Sequence, residues 1–385
     1  MSVTAASGFV AGGLACGIKE SGAPDLAIVA TADRAPVAAA GVFTTNLAQA
    51  APVQVSKQHL ATGDAAAVVL SSGNANAATG AAGRRDAARM CELTASGLGL
   101  DATAVLVCST GLIGIPMPMD ALEAGIPKLC GQLGSEGGAD AARAIMTTDT
   151  LPKEAVARAG AATVGGMAKG AAMLSPAMAT MLAVVTTDAA VAAPGLQRSL
   201  AVAVASTFDC LSVDGCRSTN DTVVVLAGGA AGAVEEHAFT DALTAVCGSL
   251  AEQMARDAEG ATKFVRVVVR GAWSDTQARV AARAVANSQL VQCSLNGGDA
   301  YWGRVLSELG ASGAHLDPER VDISYNGVTV CRDGIGCAHD AAALAGVMAG
   351  RDIEIQCDLR LAHGRATVLT TDLSHAYIDE NRRTS

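Results

Sequence analysis

The sequence predicts an α/β fold in which sheets are covered by helices. Strand-like apolar runs alternate with helical patterns along the whole 385-residue chain. Half of the residues are apolar although only 3 % are aromatic, and 42 are glycines. An interior of this kind is filled by Ala, Val, Leu and Met, with backbones that approach each other closely. This composition is typical of packed layers of sheet and helix.

Strand-like runs of β-branched and aliphatic residues occupy residues 26–30, 67–70, 105–108, 181–186, 222–227, 263–269, 321–324, 328–331, 353–359 and 366–369. The run that begins at Met181 is apolar on both faces, which predicts a central strand. Helical periodicity is clearest at residues 84–97, 196–206, 241–258, 275–286 and 341–350. Two Gly/Ala-rich segments, 134–141 and 228–232, are predicted to be loops.

The net charge and the hydropathy of the chain argue against nucleic acid as a partner and against a membrane span. The net charge is −10 and the pI is about 5.1, which argues against a nucleic-acid-binding surface because such a surface needs a basic patch. No uncharged stretch reaches the roughly 20 apolar residues of a membrane helix, so no membrane span is expected. The first 19 residues lack the features of an export signal, which predicts a cytoplasmic protein.

Cofactor and metal signals are weak. No Gly-rich phosphate-binding loop and no Gly-x-Ser-x-Gly elbow occur in the sequence, so no nucleotide cofactor is expected. The 11 cysteines include no Cys-x-x-Cys pair and are interpreted as reduced, mostly buried thiols. Cys331, Cys337 and His339 lie close together in the sequence, but their spacing matches no common zinc pattern. We therefore expect no metal.

The segment before the run at Met181 carries the most informative residue. Thr180 follows a Gly/Pro-broken approach, Lys169 to Ala179, and precedes the apolar strand. A threonine becomes an effective nucleophile when it is the first residue of a chain, because its own α-amino group then acts as the base. Here that requires cleavage of the Ala179–Thr180 peptide bond. Taken alone, the local pattern favours a buried threonine that caps a strand.

Other segments favour the nucleophile over the strand-capping threonine, because together they form a pattern of defined order and spacing. They are Gly8-Phe9, Gly17-Ile18-Lys19, Gly41-Val42-Phe43-Thr44, Ser72-Gly73-Asn74-Ala75-Asn76-Ala77, Cys108-Ser109-Thr110-Gly111-Leu112-Ile113-Gly114, Thr147-Thr148-Asp149, Ser218-Thr219-Asn220-Asp221-Thr222, Asp257-Ala258-Glu259-Gly260, Trp302-Gly303-Arg304-Val305 and Asp372-Leu373-Ser374-His375-Ala376-Tyr377. Over nearly the whole chain this pattern resembles the ornithine acetyltransferases of cyclic arginine biosynthesis, also called bifunctional glutamate N-acetyltransferases.

The resemblance implies an architecture and an assembly. The fold would be an α/β/β/α arrangement of layers with a smaller C-terminal lobe. Cleavage would give two fragments, residues 1–179 and 180–385, which together form one packed body. Family members are typically heterotetramers with two copies of each fragment, so the same assembly is expected here.

The resemblance also assigns roles to individual residues. Thr180 would be the nucleophile, and Thr110 with Gly111 would form the oxyanion hole, although a simple turn at these two residues is the alternative. The expected substrate contacts are Thr147, Lys169, Thr180, Glu259, Asn381 and Ser385. A solvated lysine is the alternative for Lys169, and strand-end hydrogen bonding is the alternative for Thr147. Glu259 follows the predicted helix 241–258, where the helix dipole does not favour a negative charge.

The implied reaction transfers the acetyl group of N2-acetylornithine to glutamate through an acetyl-threonine, with acetyl-CoA as a further donor in some members. Three segments depart from the family pattern: Ala172 stands where Gly is common, residues 299–302 read Asp-Ala-Tyr-Trp instead of Asp-Pro-Asn-Trp, and the tail after Asn381 is one residue short. These departures point to a change in substrate selection. The alternatives within the enzyme class are a paralogue with another N-acylated amino acid substrate and a self-processed aminopeptidase or amidase. The alternative outside it is an unprocessed binding or scaffold protein, in which Thr180 never becomes a terminus.

Overall fold

The computed structural model describes residues 2–173 and 181–382. Its strands are β1 (Phe9–Leu14), β2 (Leu26–Thr31), β3 (Val37–Phe43), β4 (Asp64–Ala65), β5 (Ala67–Asn74), β6 (Val105–Leu112), β7 (Lys153–Ala159), β8 (Ala162–Lys169), β9 (Leu182–Ala190), β10 (Thr222–Ala233), β11 (Phe264–Ala272), β12 (Asp322–Tyr325), β13 (Val328–Arg332), β14 (Ile335–Gly336), β15 (Asp352–Asp358) and β16 (Gly364–Thr371). Its α-helices are α1 (Ala51–His59), α2 (Gly80–Leu98), α3 (Met119–Cys130), α4 (Gly138–Ala144), α5 (Ala193–Ser206), α6 (Glu236–Arg256), α7 (Asp275–Asn287), α8 (Gln289–Asn296), α9 (Trp302–Ala311), α10 (Ala341–Ala349) and α11 (His375–Asn381).

The chain forms two compact units. The N-terminal unit comprises Met1–Asp209 and Cys216–Met254, and the C-terminal unit comprises Cys210–Gly215 and Ala255–Ser385. The N-terminal unit holds a first sheet with strand order β1-β2-β5-β6 and a second sheet with strand order β4-β3-β10-β9-β8-β7. Strand β9 is therefore central, between β10 and β8, as its apolar sequence predicts.

The two sheets of the N-terminal unit pack face to face. On β2, Ala27 and Val29 point into the core shared with the second sheet, whereas Leu26 and Ile28 point into a core formed with α1, α2 and α3. This alternation is the two-residue period of a strand that is buried on both faces. On the far side of the second sheet, α5 lies along β3 through Gln197, and α6 packs on β8. The layers are thus α/β/β/α, as expected.

The C-terminal unit is built on a third sheet with strand order β14-β13-β12-β15-β11-β16. Alternate residues of β11, Val265, Val267 and Val269, face the apolar side of α7 in one core. Glu259, Asn381 and the segment 299–302 belong to this unit, which is the smaller of the two. No helix among the residues that the structure describes is long and apolar enough to cross a membrane.

The predicted strands and helices all overlap observed ones, but one predicted loop, 228–232, is wrong and another, 134–141, holds only for residues 134–137. Segment 134–141 contains the start of α4, because Ala141, Ala142 and Ala144 are buried in the core between the sheets. Segment 228–232 lies within β10, where the pairing with β9 shifts register between Ala227 and Gly232. The longer strands that sequence reasoning missed, β1, β3, β7 and β8, are rich in Ala, Gly or both, which have low strand propensity. The two-residue strands β4 and β14 were missed as well.

Candidate active site

Thr110 and Gly111 lie in strand β6 and not in a simple turn. Strand β6 runs parallel to β5, and Ser72 and Gly73 of β5 pair with Thr110 and Gly111. Thr110 is only 2 % exposed, whereas Gly111 is exposed. The end of the strand therefore presents a sheltered hydroxyl next to an open backbone group, and oxyanion holes are built from such donors.

Glycine is needed at position 111 for two reasons. Its φ is +133°, a conformation that residues with side chains rarely adopt. A Cβ atom here would lie 2.2 Å from the carbonyl carbon of Gly73 and 2.5 Å from the nitrogen of Asn74. The two strand ends are thus in backbone contact, which holds Gly111 against the Gly73-Asn74-Ala75-Asn76 turn.

A buried charge cluster surrounds Lys169, the last residue of β8. Lys169 Nζ lies 3.8 Å from Asp149 Oδ2, and Lys153 Nζ lies 2.6 Å from Asp149 Oδ1. The exposed fractions of the three side chains are 3 %, 0 % and 1 % for Lys169, Asp149 and Lys153. Lys169 is therefore not a solvated surface lysine, which was the alternative.

Asp149 also organises the backbone around this cluster. Its Oδ1 accepts a hydrogen bond from the backbone N–H of Gly170 at 2.7 Å, and its Oδ2 accepts one from the N–H of Thr147 at 3.0 Å. Burial alone would raise the pKa of Asp149, but Lys169 and Lys153 outweigh it and hold that pKa well below its usual range. Asp149 is therefore held as an anion that joins Thr147 to Lys169.

A third lysine lies next to the cluster. Lys19 Nζ donates hydrogen bonds to the carbonyl oxygens of Met146 at 2.6 Å and Pro24 at 2.7 Å. Burial lowers the pKa of Lys19, and the charge of Lys169 lowers it further, whereas Asp25 and Asp149 oppose this shift. This part of the N-terminal unit therefore concentrates positive charge, which suits a substrate carboxylate.

Asn220 and Asp221 are two buried polar residues that sequence reasoning did not assign to the site. Asp221 Oδ1 accepts a hydrogen bond of 2.9 Å from the backbone N–H of Met181. Asn220 Nδ2 donates to the carbonyl oxygen of Ala75 at 2.6 Å and to that of Ser109 at 2.8 Å. The two residues thus connect the beginning of the strand at Met181 to the oxyanion strand.

In the C-terminal unit, Glu259 and Asn381 contact each other. Asn381 Nδ2 donates to Glu259 Oε2 at 2.7 Å and to the carbonyl oxygen of Tyr377 at 2.9 Å. The predicted helix 241–258 ends at Arg256, so Glu259 lies in the loop beyond the helix and not at its last residue. Its exposed fraction is 7 %. Gly260, with φ +62° and no room for a Cβ atom beside Tyr377, lets this loop lie against α11.

Three predicted positions and one residue of the C-terminal tail remain. Ala179, Thr180 and Ser385 lie outside the described residues. Arg382 is exposed and pairs with Asp379 at 3.6 Å, with exposed side-chain fractions of 76 % and 64 %. A surface pair of this kind contributes little, so Arg382 behaves as a solvated charge.

The cysteines considered for a metal have other contacts. The Cys331 thiol lies 3.8 Å from the carbonyl oxygen of Val321, and the Cys337 thiol lies 3.5 Å from that of Thr329. Within the described part of the chain, no group of three or more His, Cys, Asp and Glu residues is arranged to hold a metal ion.

A comparison of the whole sequence with family models matches the ArgJ family over residues 10–384. The chain belongs to the ArgJ family. The arginine biosynthesis bifunctional protein ArgJ of Mycobacterium leprae is 49 % identical to it, with 98 % of this chain and 94 % of the relative covered. This relative thus carries the name of a bifunctional protein of arginine biosynthesis.

Two solved structures of the ArgJ family are similar to parts of the chain. The crystal structure of the bifunctional protein ArgJ from Bacillus halodurans is 32 % identical and covers 51 % of this chain and 96 % of its own, with a TM-score of 0.50. Ornithine acetyltransferase complexed with ornithine, from Mycobacterium tuberculosis, is 48 % identical and covers 46 % of this chain and 94 % of its own, with a TM-score of 0.43.

Proposed function

We propose that the chain is an acetyltransferase that moves the acetyl group of N2-acetylornithine to glutamate through an ester on Thr180. One observation carries this function: Lys169 is a buried cation that pairs in register with Leu182, two residues after Thr180. A buried ammonium at this point of the sheet supplies the charge that a substrate carboxylate needs beside the nucleophile. Membership of a family whose relatives bear the names of arginine-biosynthesis enzymes and ornithine acetyltransferase supports the same substrate class.

Maturation creates the nucleophile. Thr180 Oγ attacks the carbonyl carbon of Ala179, and an ester forms as the peptide C–N bond breaks and the Thr180 nitrogen takes a proton. Water hydrolyses the ester, which restores the hydroxyl and leaves a carboxylate on Ala179. The free amine, with a pKa of roughly 8, then acts as the base for the adjacent hydroxyl.

Two observations support separate but associated fragments. Strands β8 and β9 lie on opposite sides of the cleavage position and pair with each other from Val164–Thr187 to Lys169–Leu182, so cleavage leaves the fragments in one sheet. The Bacillus halodurans chain matches only 51 % of this sequence with 96 % of its own length, as one fragment of a cleaved relative would. Two copies of each fragment would make the heterotetramer, which native mass spectrometry tests.

In turnover, Thr180 Oγ attacks the acetyl carbonyl carbon of N2-acetylornithine, and Thr110 and Gly111 donate to the oxyanion that develops. The C–N bond breaks, ornithine leaves with the proton carried by the Thr180 amine, and an acetyl ester remains. The glutamate amine attacks this ester and releases Thr180. Thr147, Lys169, Glu259, Asn381 and Ser385 are the proposed substrate contacts. These steps require no cofactor.

Isotope exchange tests the transfer chemistry. Incubation with N2-acetylornithine and labelled ornithine, without glutamate, should give labelled N2-acetylornithine, because a covalent acetyl-enzyme can return its acetyl group to either ornithine. Acetyl-CoA should be supplied in a parallel reaction as a second donor to glutamate. Free acetate as the main product would identify a hydrolase, and a better donor among other N-acylated amino acids would identify a paralogue.

A further inference from the structure

Asn220 and Asp221 are adjacent, buried and directed at two different backbone segments. Their exposed fractions are 4 % and 0 %. Asn220 holds the carbonyl oxygens of Ala75 and Ser109, and Asp221 holds the N–H of Met181. Neither residue is a direct donor or nucleophile in the reaction above, so their contacts need another explanation.

The contact of Asn220 fixes the peptide group that precedes Thr110, the residue whose hydroxyl is the proposed oxyanion donor. The carbonyl of Ser109 belongs to the planar peptide group that also carries the N–H of Thr110. A hydrogen bond of 2.8 Å to this oxygen sets the orientation of the plane.

The contact of Asp221 fixes the backbone N–H of Met181, the residue that follows Thr180 in the sequence. Asp221 Oδ1 accepts the N–H of Met181, and the N–H of Thr222 donates to the carbonyl oxygen of Met181 at 3.1 Å. Met181 is therefore held on both sides by consecutive residues of one segment. The Asp221 carboxylate also has a side-chain hydrogen bond with Ser218, a residue of the same segment.

Segment 218–222 is itself firmly attached to the frame of the N-terminal unit. The backbone N–H of Thr44 donates to the carbonyl oxygen of Asp221 at 2.9 Å, and the Thr44 hydroxyl donates to that of Ser218 at 2.7 Å. The N–H of Ala50 donates to the carbonyl oxygen of Thr219 at 2.9 Å. The contacts that Asn220 makes with Ser109 and that Asp221 makes with Met181 thus start from the same firmly attached segment.

We propose that Asn220 and Asp221 are positioning residues that set the geometry between the oxyanion hole and the nucleophile. Asn220 orients the Ser109–Thr110 peptide, and Asp221 holds the backbone N–H of Met181, the residue next to Thr180 in the sequence. The proposal rests on the function inferred above, in which Thr180 attacks and Thr110 stabilises the oxyanion. A displacement of about 1 Å between such groups costs on the order of 10²-fold in rate, so a shared anchor is effective.

The test uses full-length protein and matched variants. Asp221→Ala removes the contact with the Met181 N–H, and Asn220→Ala removes the contacts with the Ala75 and Ser109 carbonyl oxygens. These two are called the clamp variants. Asp188→Ala is the control for Asp221, because Asp188 is 5 % exposed and accepts the backbone N–H groups of Thr163 and Ser7, near the far end of β9. Asn46→Ala is the control for Asn220, because Asn46 Nδ2 donates to the Arg217 carbonyl oxygen outside segment 218–222. Melting temperature, the rate of cleavage at Ala179–Thr180, kcat and KM are measured for each.

The two clamp variants should lower the cleavage rate and kcat by about 10- to 100-fold, with KM changed by less than about 3-fold, because they misplace reacting groups without removing substrate contacts. Asp188→Ala should lower the melting temperature about as much as Asp221→Ala, and both control variants should leave kcat within about 2-fold of wild type. Clamp variants that lose no more kcat than their controls would overturn the proposal.

Two conservative variants test the positioning role of Asn220 and Asp221 if an alanine variant does not fold. Asp221→Asn keeps an oxygen that accepts the Met181 N–H and should recover most of the rate. Asn220→Asp has the same size but no donor for the two carbonyl oxygens, so it should be as slow as Asn220→Ala. Wild-type rates in Asn220→Asp would contradict the proposal. If the wild-type protein itself neither cleaves nor exchanges acetyl groups, the proposed function fails, an outcome distinct from failure of the clamp.

Discussion

Lys153 and Asp149 form an ion pair of 2.6 Å that is almost completely shielded from water. Asp149 is shared with Lys169, 3.8 Å away, so one carboxylate balances two buried ammonium groups. Such groups are expensive to bury, and the hydrogen bonds from Thr147 and Gly170 offset part of that cost. The stability of the N-terminal unit and the placement of Lys169 therefore depend on the same side chain.

Replacement of Asp149 by Asn should destabilise the protein by about 3 to 5 kcal/mol, because the two buried lysines lose the carboxylate that they share. Urea unfolding measures this change. Asp140→Asn is the control, since its pair with Arg143 has exposed side-chain fractions of 63 % and 56 % and should contribute less than about 1 kcal/mol. Equal losses in the two variants would contradict the role assigned to Asp149.

The contribution of Asp149 should depend on pH in a defined direction. Its pKa is lower in the folded than in the unfolded chain, where it is about 3.9, so the folded state stabilises the ionised form. The free-energy difference between wild type and Asp149→Asn should therefore be complete above about pH 5 and shrink as the pH falls below about 4. Urea titrations from neutral to acidic pH measure it. A difference that stays constant over this range would show that the charge of Asp149 is not responsible.

The fold was largely predictable, and the exceptions have a common cause. Segments rich in Val, Ile and Leu, such as β9 and β11, have the strand pattern in their own sequence. Strand β8 contains Gly165 and Gly166 and becomes a strand because its residues are buried between β7 and β9. Tertiary burial decides the structure there, and local propensity does not report it.

The candidate site was predictable in part for a related reason. Lys169 and Thr110 could be named from short segments that resemble a family. The partnership of Lys169 with Asp149 and Lys153 depends on how β7, β8 and the preceding loop pack, which no local pattern encodes. The contact between Asp221 and Met181 joins residues 40 positions apart, so only the fold brings it into view.

Gly111→Ala should destabilise the protein strongly for two reasons. The new Cβ atom would clash with the backbone of Gly73, and alanine would be strained at the positive φ of this position. Gly99→Ala isolates the second effect: Gly99 has φ +71° with no atom within 4 Å of its Cβ position, so it should cost only about 1 kcal/mol. Thermal unfolding of both variants measures the contrast. Similar losses would mean that the strand ends separate easily and that their close contact is unimportant.

Thr110→Ala should lower acetyl transfer by about 10² to 10³-fold without unfolding the protein, as the loss of one oxyanion donor does. The rate of transfer and the melting temperature should be measured on the same sample. Thr94→Ala serves as a control, because Thr94 is a buried threonine whose hydroxyl donates within helix α2 to the Met90 carbonyl oxygen at 2.9 Å. Unchanged transfer in Thr110→Ala would leave Thr110 a structural residue only.

The central claim is that Thr180 becomes the first residue of a chain, and the intact mass of the purified protein tests it most directly. Wild-type protein should give two species with the masses of residues 1–179 and 180–385, which remain associated under native conditions. Thr180→Ala lacks the hydroxyl for both cleavage and turnover, so it should give one inactive species with the mass of the whole chain. A wild-type protein that stays full length while it transfers acetyl groups would contradict the account.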